Sequence, residues 1–318
     1  MTRFIVVGLG AIGGTIAARL HQSGHEVLGV ATGAHAAAIT TDGLLVKDPE
    51  EHLRCRLRVT HSLAAAAAKA DDIVIVATKS QDTASVLRSL PSPDIPVTMA
   101  QNGIANESEA LRWSARVEGM VVMSPCVYLQ PGMVIQHACR PFGVLDVGAF
   151  PGGVSEVSRT VADALTAAGY LSRPVPNVTA WKTAKLLSNL GNAVEVVCGP
   201  QTRGGPLTRR LEDEAEAVLD ASGIERVGSQ EAAERAALLR AVEVDGQRRP
   251  GGSVWQSAWR NADTEVDYLN GEIVRLARQA GREAPANAIV QALTHQVTSG
   301  RIAIGSVPEQ EVLSMVVR

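Results

Sequence analysis

The sequence predicts an α/β N-terminal domain built on a parallel sheet, followed by an all-α C-terminal domain. Three observations carry this reading. Short apolar runs alternate with helical stretches over the first 175 residues, a glycine-rich turn joins the first run to the first helix, and the pattern beyond residue 175 is helical throughout. Alternation of this kind means βαβ units and a sheet covered on both faces.

Taken in order, "RFIVVG", "HEVLGVA", "DDIVIVAT" and "IPVTMA" read as buried strands, with helices over residues 11–23, 62–70, 80–90 and 105–113. The alanine run at 64–70 counts as a good helix former. "GMVVMSP", "CVYLQ", "MVIQH" and "FGVLDVG" then crowd together around Pro131 and Gly132, which predicts a sheet edge or a small extra sheet. A helix over about 153–168 follows, and the prolines of "RPVPNV" (173–178) mark the crossing between domains. Helical periodicity then covers 179–198, 206–222, 229–242, 253–259, 264–281 and 286–299. The expected domains are therefore 1–175, dinucleotide-binding, and 176–318, substrate-binding and catalytic.

A chain of 318 residues with 46% hydrophobic and 20% charged residues has material for two cores. Its net charge of −3, with the signs interspersed, provides no basic stripe for nucleic acid and no polybasic face for a membrane. The apolar start from Phe4 to Ile16 is broken by glycines and runs into an amphipathic segment, unlike a signal peptide, and no window is long and apolar enough to span a bilayer. Cys55, Cys126, Cys139 and Cys198 are scattered, without a CxxC pair or a His at ligand spacing. Reduced thiols in a cytoplasmic protein, and no metal site, are expected.

"VVGLGAIGG" places Gly8, Gly10 and Gly13 in GxGxxG spacing, with Leu9, Ala11 and Ile12 between them, directly after a strand and at the head of a helix. The first glycine permits the tight turn, the second lets backbone approach a pyrophosphate, and the third lets helix and strand pack closely. The position predicts a Rossmann-type dinucleotide site. An acid for a ribose hydroxyl, or an Arg for a 2′-phosphate, belongs at the end of the second strand. "GVATGAH" has neither there, leaving Thr32 and His35 as polar candidates.

Ligands of open α/β sheets bind beyond the carboxyl ends of the strands. Lys79 in "VATKSQDT" and Asn102 in "MAQNGIANE" lie at two such ends. A solubilising lysine and an Asn-Gly turn are the plain alternatives. In "WKTAKLLSNLGNAVE", residues 181–195, Lys185 and Asn189 project from one helix face a turn apart, with Asn192 beside them and Leu186, Leu187, Leu190 and Val194 on the neighbouring edge. That polar edge is either solvated or directed at a ligand. Ser253 and Glu265 invite a local account, as a helix N-cap and a first-turn acid within a Thr264–Asp267 capping box.

The ordered set is more specific than its parts. A glycine-rich N-terminal loop, a lysine after the "DDIVIVAT" strand, "QNG" after the next, "WxxxKLxxN" in the second half, and a serine ahead of "TEVDYLNG" together resemble the ketopantoate reductase family over nearly the whole chain. The resemblance implies a helical second domain and a cleft in which NADPH reduces a 2-oxo acid, 2-dehydropantoate first among them. Gly8, Gly10 and Gly13 would hold the pyrophosphate. Lys79 and Asn102 would line the cofactor and substrate side. Lys185 would be the general acid, Asn189 and Ser253 substrate ligands, and Glu265 a partner for the hydroxyl or ammonium groups nearby. The chemistry suits a lysine: hydride delivery builds negative charge on the ketone oxygen, which an ammonium stabilises and then protonates.

The chain departs from the family pattern at three places. The second-strand Arg is Thr32, so NADP is expected with NAD as the alternative. The second asparagine of the helix motif is Ala193, and a polar group before the serine is Pro250, with "SVWQS" in place of "SMLQD". Trp181, Trp255 and Trp259 fall in the segments that carry these residues, although aromatics are only 3% of the chain. They either shape an apolar pocket for a bulkier 2-oxo acid or an imine, or pack between helices. A non-catalytic dinucleotide sensor is the remaining alternative, against which stands the presence of Lys185 and Glu265. The helical second half also offers a surface for a homodimer.

Overall fold

The computed structural model describes residues 2–316. Its strands are β1 (Arg3–Val7), β2 (Glu26–Val30), β3 (Leu44–Lys47), β4 (His52–Cys55), β5 (Arg58–Thr60), β6 (Ile73–Val76), β7 (Val97–Met99), β8 (Val117–Met123), β9 (Cys126–Gln130), β10 (Met133–Gln136) and β11 (Val144–Ala149). Its helices are α1 (Ala11–Gln22), α2 (Gly33–Asp42), α3 (Thr83–Leu87), α4 (Asn106–Ala110), α5 (Glu156–Ala167), α6 (Val178–Cys198), α7 (Pro206–Ala221), α8 (Ser229–Ala237), α9 (Ser253–Trp259), α10 (Asn270–Gln279), α11 (Pro285–Thr298) and α12 (Glu309–Val316). Two compact units divide the chain. The first comprises Met1–Gln101, Ala105–Trp181 and Ser229–Arg249, and the second Asn102–Ile104, Lys182–Gly228 and Pro250–Arg318.

In the first unit a seven-stranded sheet runs in the order β11-β8-β7-β6-β1-β2-β5. It is parallel except for β11, which pairs antiparallel with β8. Phe4, Val6, Ile73 and Ile75 face one buried cluster, while Ile5, Val7, Val74 and Val76 face another. Unbroken apolar strands therefore reflect burial on both faces, as parallel sheets require. A second sheet, β4-β3-β10-β9, takes two of the four crowded segments, "CVYLQ" and "MVIQH", while the other two become β8 and β11. The expected sheet edge and the expected extra sheet thus both exist.

One buried cation joins α1 to that second sheet. The Arg19 guanidinium donates to Gln136 Oε1 (3.2 Å), Gln22 Oε1 (2.9 Å) and Glu51 Oε1 (2.9 Å), pairs with Asp48, and lies 3.8 Å above the Phe142 ring. With all three guanidinium nitrogens engaged, the ion pair fixes the helix that carries the glycine turn.

The alanine-rich stretch at 62–70 is a run of turns rather than a helix. Nine residues are too few for helix propensity to prevail without packing. Here Asp72 accepts the Lys69 amide (2.7 Å) and Arg3 Nη2 donates to the Ala67 carbonyl (3.3 Å), taking the backbone groups a helix would use. The helix read over 264–281 is interrupted. A 3₁₀ turn at Val266–Tyr268 precedes α10, because Asn270 turns its buried amide onto the Leu190 carbonyl (3.4 Å) and Asn287 Oδ1 (3.1 Å). Thr264 is accordingly no N-cap for α10, and Gly252 rather than Ser253 caps α9. Helix α8 stops at Ala237, short of residue 242, where the Val242 amide donates to the His137 carbonyl (2.9 Å). Helices α2 and α12 and strands β3, β4 and β5 were not expected from the sequence.

The second unit is helical. Leu186, Leu190, Val194 and Val197 of α6 are fully buried in a cluster with Leu211, Leu219, Ile273 and Val290 of α7, α10 and α11. Among the described residues no helix is long and apolar enough to cross a membrane.

Replacing Arg19 with Met leaves Asp48 buried without its cation, and is expected to cost about 3–5 kcal/mol in urea unfolding. A loss under about 1 kcal/mol would show that the pair contributes little.

Candidate active site

The glycine turn meets three different backbone demands. Gly8 has φ +90°, and a Cβ there would lie 2.8 Å from the Thr78 nitrogen. At Gly13 a Cβ would lie 1.9 Å from the Gly8 carbonyl oxygen, so helix and turn meet at a distance that only glycine allows. Gly10 differs: nothing lies within 4 Å of its Cβ position. This residue is the N-cap of α1, which has no side-chain cap and no acid in its first turn. An open N-terminus with backbone N–H groups between Gly10 and Gly13, Leu9, Ala11 and Ile12 included, is fitted to an anionic pyrophosphate.

Two further contacts shape this turn. The Thr78 methyl lies against Gly8, and its buried Oγ1 has no hydrogen-bond partner in the described protein, which leaves a hydroxyl for a ligand of the turn. His35, from α2, accepts the Gly132 amide at Nδ1 (2.9 Å), so Nε2 carries the proton and donates to the Leu9 carbonyl (2.7 Å). Its ring packs 4.6 Å from that of Tyr128. His35 is therefore a buttress of the glycine turn, with both nitrogens committed, and does not serve as a ribose ligand. Burial holds its imidazole below the ordinary value, with the Leu9 hydrogen bond opposing the shift. Thr32 is the N-cap of α2 and is exposed, in a helix with no acid in its first turn.

Lys79 follows β6 and caps a 3₁₀ turn at Ser80–Asp82. Its neighbours are tied down on both sides. Gln101 Nε2 donates to the Thr78 carbonyl and to Thr83 Oγ1 (both 2.9 Å), and Asn106 Nδ2 donates to Ser80 Oγ (3.1 Å). A strand-end lysine on a loop held this way is suited to meeting a ligand in a fixed position.

In the second unit the polar edge of α6 is a hydrogen-bonded set. Lys185 Nζ donates to Asn189 Oδ1 (2.9 Å), and Asn189 Nδ2 donates to Asn102 Oδ1 (3.1 Å). Asn192 Nδ2 approaches Asn189 Oδ1 at 3.4 Å. Asn189 is 5% exposed and Lys185 half-buried, so the edge is sheltered along an otherwise apolar helix rather than solvated along its length. The turn at Gly103, φ +80°, abuts the segment of Glu265: a Cβ at Gly103 would lie 2.7 Å from the Tyr268 carbonyl oxygen. Tyr268 in turn donates its amide to the Glu265 carbonyl (3.0 Å), and Glu265 is buried. On the other side, Gly252 packs so closely on α6 that a Cβ would lie 2.5 Å from Asn192 Oδ1, and Ser253 follows it at the start of α9.

The structure thus gathers the sequence candidates into two groups. Gly8–Gly13, Thr32 and Lys79 belong to the first unit, and Asn102, Lys185, Asn189, Ser253 and Glu265 to the second. Sequence reading missed Thr78, although it adjoins Lys79 at a strand end, and the buttressing role of His35, whose partners lie far along the chain. It also missed Glu195, which continues the spacing of Asn189 and Asn192 by three residues. Trp255 and Trp259 are stacked, with centroids 5.2 Å apart and planes at 13°, whereas Trp181 is buried with the Arg173 guanidinium 5.4 Å from its ring centroid.

Known proteins match this chain over most of its length. The family described as "Ketopantoate reductase PanE/ApbA" matches residues 4–152, and its C-terminal counterpart matches residues 177–298. A 2-dehydropantoate 2-reductase of Pyrococcus horikoshii is 28% identical over 298 residues, covering 92% of this chain and 96% of the relative. One from Caulobacter vibrioides is 30% identical over 309 residues, covering 92% and 98%. Among solved structures, a putative ketopantoate reductase from Ralstonia solanacearum superposes with a TM-score of 0.77 at 25% identity, covering 95% of this chain and 99% of the other. A D-mandelate dehydrogenase solved with NADH and anilino(oxo)acetate shares the fold, with a TM-score of 0.79 at 20% identity over 94% and 99% of the two chains. The two family matches span well over half of the sequence, and the protein belongs to the ketopantoate reductase family, a family of NAD(P)H-dependent oxidoreductases.

Proposed function

We propose that this protein reduces a 2-oxo acid to the 2-hydroxy acid with NAD(P)H, and that 2-dehydropantoate is the first substrate to test. The first unit binds the cofactor, and the second binds the substrate and protonates it. The observation that carries this reading is the sheltered Lys185–Asn189–Asn102 set, with Ser253 and Glu265 on the segments packed beside it.

When bound, the nicotinamide cofactor supplies a hydride for the carbonyl carbon of the substrate. Gly8, Gly10, Gly13 and the intervening amides hold its pyrophosphate, Thr78 Oγ1 and Lys79 are placed for its nearer groups, and Thr32 adjoins the end of β2 where a ribose would be read. Lacking both an acid and an Arg at that strand end, the protein has no strong reason to reject either NADPH or NADH, and NADPH is the first choice by family. Lys185 stabilises the charge that develops on the substrate oxygen and donates the proton that completes the alcohol. Asn189 holds the amine in direction through Oδ1, Ser253 and Asn189 hydrogen-bond the substrate, and Glu265 offers an acceptor for a hydroxyl or ammonium group.

A second reading keeps the chemistry and changes the substrate to a bulkier 2-oxo acid or an imine. The Trp255–Trp259 stack on the helix that begins at Ser253 favours it, with Trp259 60% exposed. So does the likeness to a fold that in another protein accommodates anilino(oxo)acetate.

Consumption of NADPH and NADH should be followed with 2-dehydropantoate and a range of 2-oxo acids. Lys185→Ala is expected to keep cofactor affinity and lose roughly 10²–10⁴-fold in kcat; turnover at the wild-type rate would refute the assignment. Under the bulky-substrate reading, Trp255→Ala narrows the gap in kcat/KM between large and small 2-oxo acids, and an unaltered preference disposes of it. The His35 buttress gives a pH dependence. Because its folded value is depressed, its contribution is intact above the ordinary 6.5 and is lost as pH falls through the lower folded value. Cofactor affinity should weaken over that acid range in wild type and more shallowly in His35→Gln, whereas identical slopes would rule the coupling out.

A further inference from the structure

Helix α6 carries one more polar group on the edge of Lys185, Asn189 and Asn192. Glu195 is 1% exposed, an unusual place for a carboxylate. Its Oε2 accepts the backbone amide of Gly252 (2.8 Å), and its Oε1 pairs with Arg203 Nε (3.3 Å). The amide it holds belongs to the N-cap of α9, the residue immediately before Ser253. From the same side, Gly252 sits so near Asn192 Oδ1 that no side chain fits there.

We infer that Glu195 is a positioning residue for substrate binding: it pins the start of α9 to α6 and so fixes where Ser253 stands relative to Asn189 and Lys185. The inference rests on Ser253 being a substrate ligand, as proposed above. Helix α9 has seven residues and its N-terminus has no side-chain cap of its own. The chain before it, from Gln247 to Gly251, includes two arginines, a proline and a glycine at φ +122° and is not helical, so it offers α9 no preceding turn to continue from. A charge-assisted hydrogen bond donated by the Gly252 amide to a carboxylate on a long helix is the anchor that makes a short helix start in a set place. Absence of a side chain at Gly252 lets α9 approach close enough for a serine hydroxyl and two α6 amides to serve one small ligand. Pro250, which stands where the family pattern has a polar group, also leaves more of the substrate's hydrogen bonding to Ser253.

Steady-state kinetics with the 2-oxo acid that turns over best, together with cofactor affinity and thermal melting, test this on the full-length protein. Glu195→Ala should raise the KM for the 2-oxo acid about tenfold, with a smaller change in kcat and no change in cofactor affinity. Glu195→Gln should recover most of the loss, because the amide oxygen can still accept from Gly252. In Ser253→Ala, adding Glu195→Ala should raise KM no further, since both changes act through one hydroxyl. A fall in melting temperature with kcat, KM and cofactor affinity all impaired alike would assign Glu195 to stability alone and overturn the inference, as would full additivity of the two substitutions. Should Glu195→Ala fail to fold, Gly252→Ala pushes the same segment away from α6, because its Cβ would meet Asn192 Oδ1, and should show the same selective rise in KM. The two claims fail differently: normal KM in Glu195→Ala with raised KM in Ser253→Ala refutes the positioning alone, whereas normal KM in Ser253→Ala refutes the substrate-ligand reading and the inference with it.

Discussion

The hydrogen bond from Lys185 Nζ to Asn189 Oδ1 is the constraint on which the functional account depends. A lysine side chain has four rotatable carbons and loses considerable entropy when held in one direction. Here the acceptor is one helical turn away and is itself held by Asn102, so the amine is directed. The apolar face of α6, buried against α7, α10 and α11, supplies the rigidity that makes this direction persist. An ammonium that is directed and partly sheltered is what a proton donor to an alkoxide requires.

Cofactor binding depends on a different kind of constraint. Gly8 and Gly13 are demanded by the protein's own backbone, since a Cβ at either would strike the chain, while Gly10 is demanded by nothing in the protein and opens onto free space. This asymmetry separates two glycines required by the backbone from one whose Cβ direction is open. His35 and the Arg19 ion pair then join the turn and its helix to the second sheet, so that the strands after β2 act as a brace for the glycine loop. The departure at Thr32 leaves the end of β2 without the charged residue that normally discriminates between the two nicotinamide cofactors.

Much of this was legible in the sequence, and the limits have physical causes. The glycine spacing was readable because it encodes backbone geometry within six residues. The α6 edge was readable because a helix places residues three and four apart on one side, so Lys185 and Asn189 announced their common direction. Glu195 obeyed the same spacing and was passed over, since its partner Gly252 lies 57 residues on and gives no local signal. His35 bonds across 26 and 97 residues, beyond any local pattern. Strands β3 and β4 of the second sheet are short and carry Lys47, His52 and Arg54, so they lack the unbroken apolar runs that mark β1 and β6. The run at 62–70 misled in the opposite sense, because alanine's propensity is small beside the Arg3–Asp72 pair that claims its backbone.

A crystal structure with oxidised cofactor and the 2-hydroxy acid product bound would test the central claim most directly. The account expects the pyrophosphate against the amides of Gly10–Gly13 and the product hydroxyl within about 2.6–3.2 Å of Lys185 Nζ. A product hydroxyl bound away from α6, out of reach of Lys185 Nζ, would contradict it.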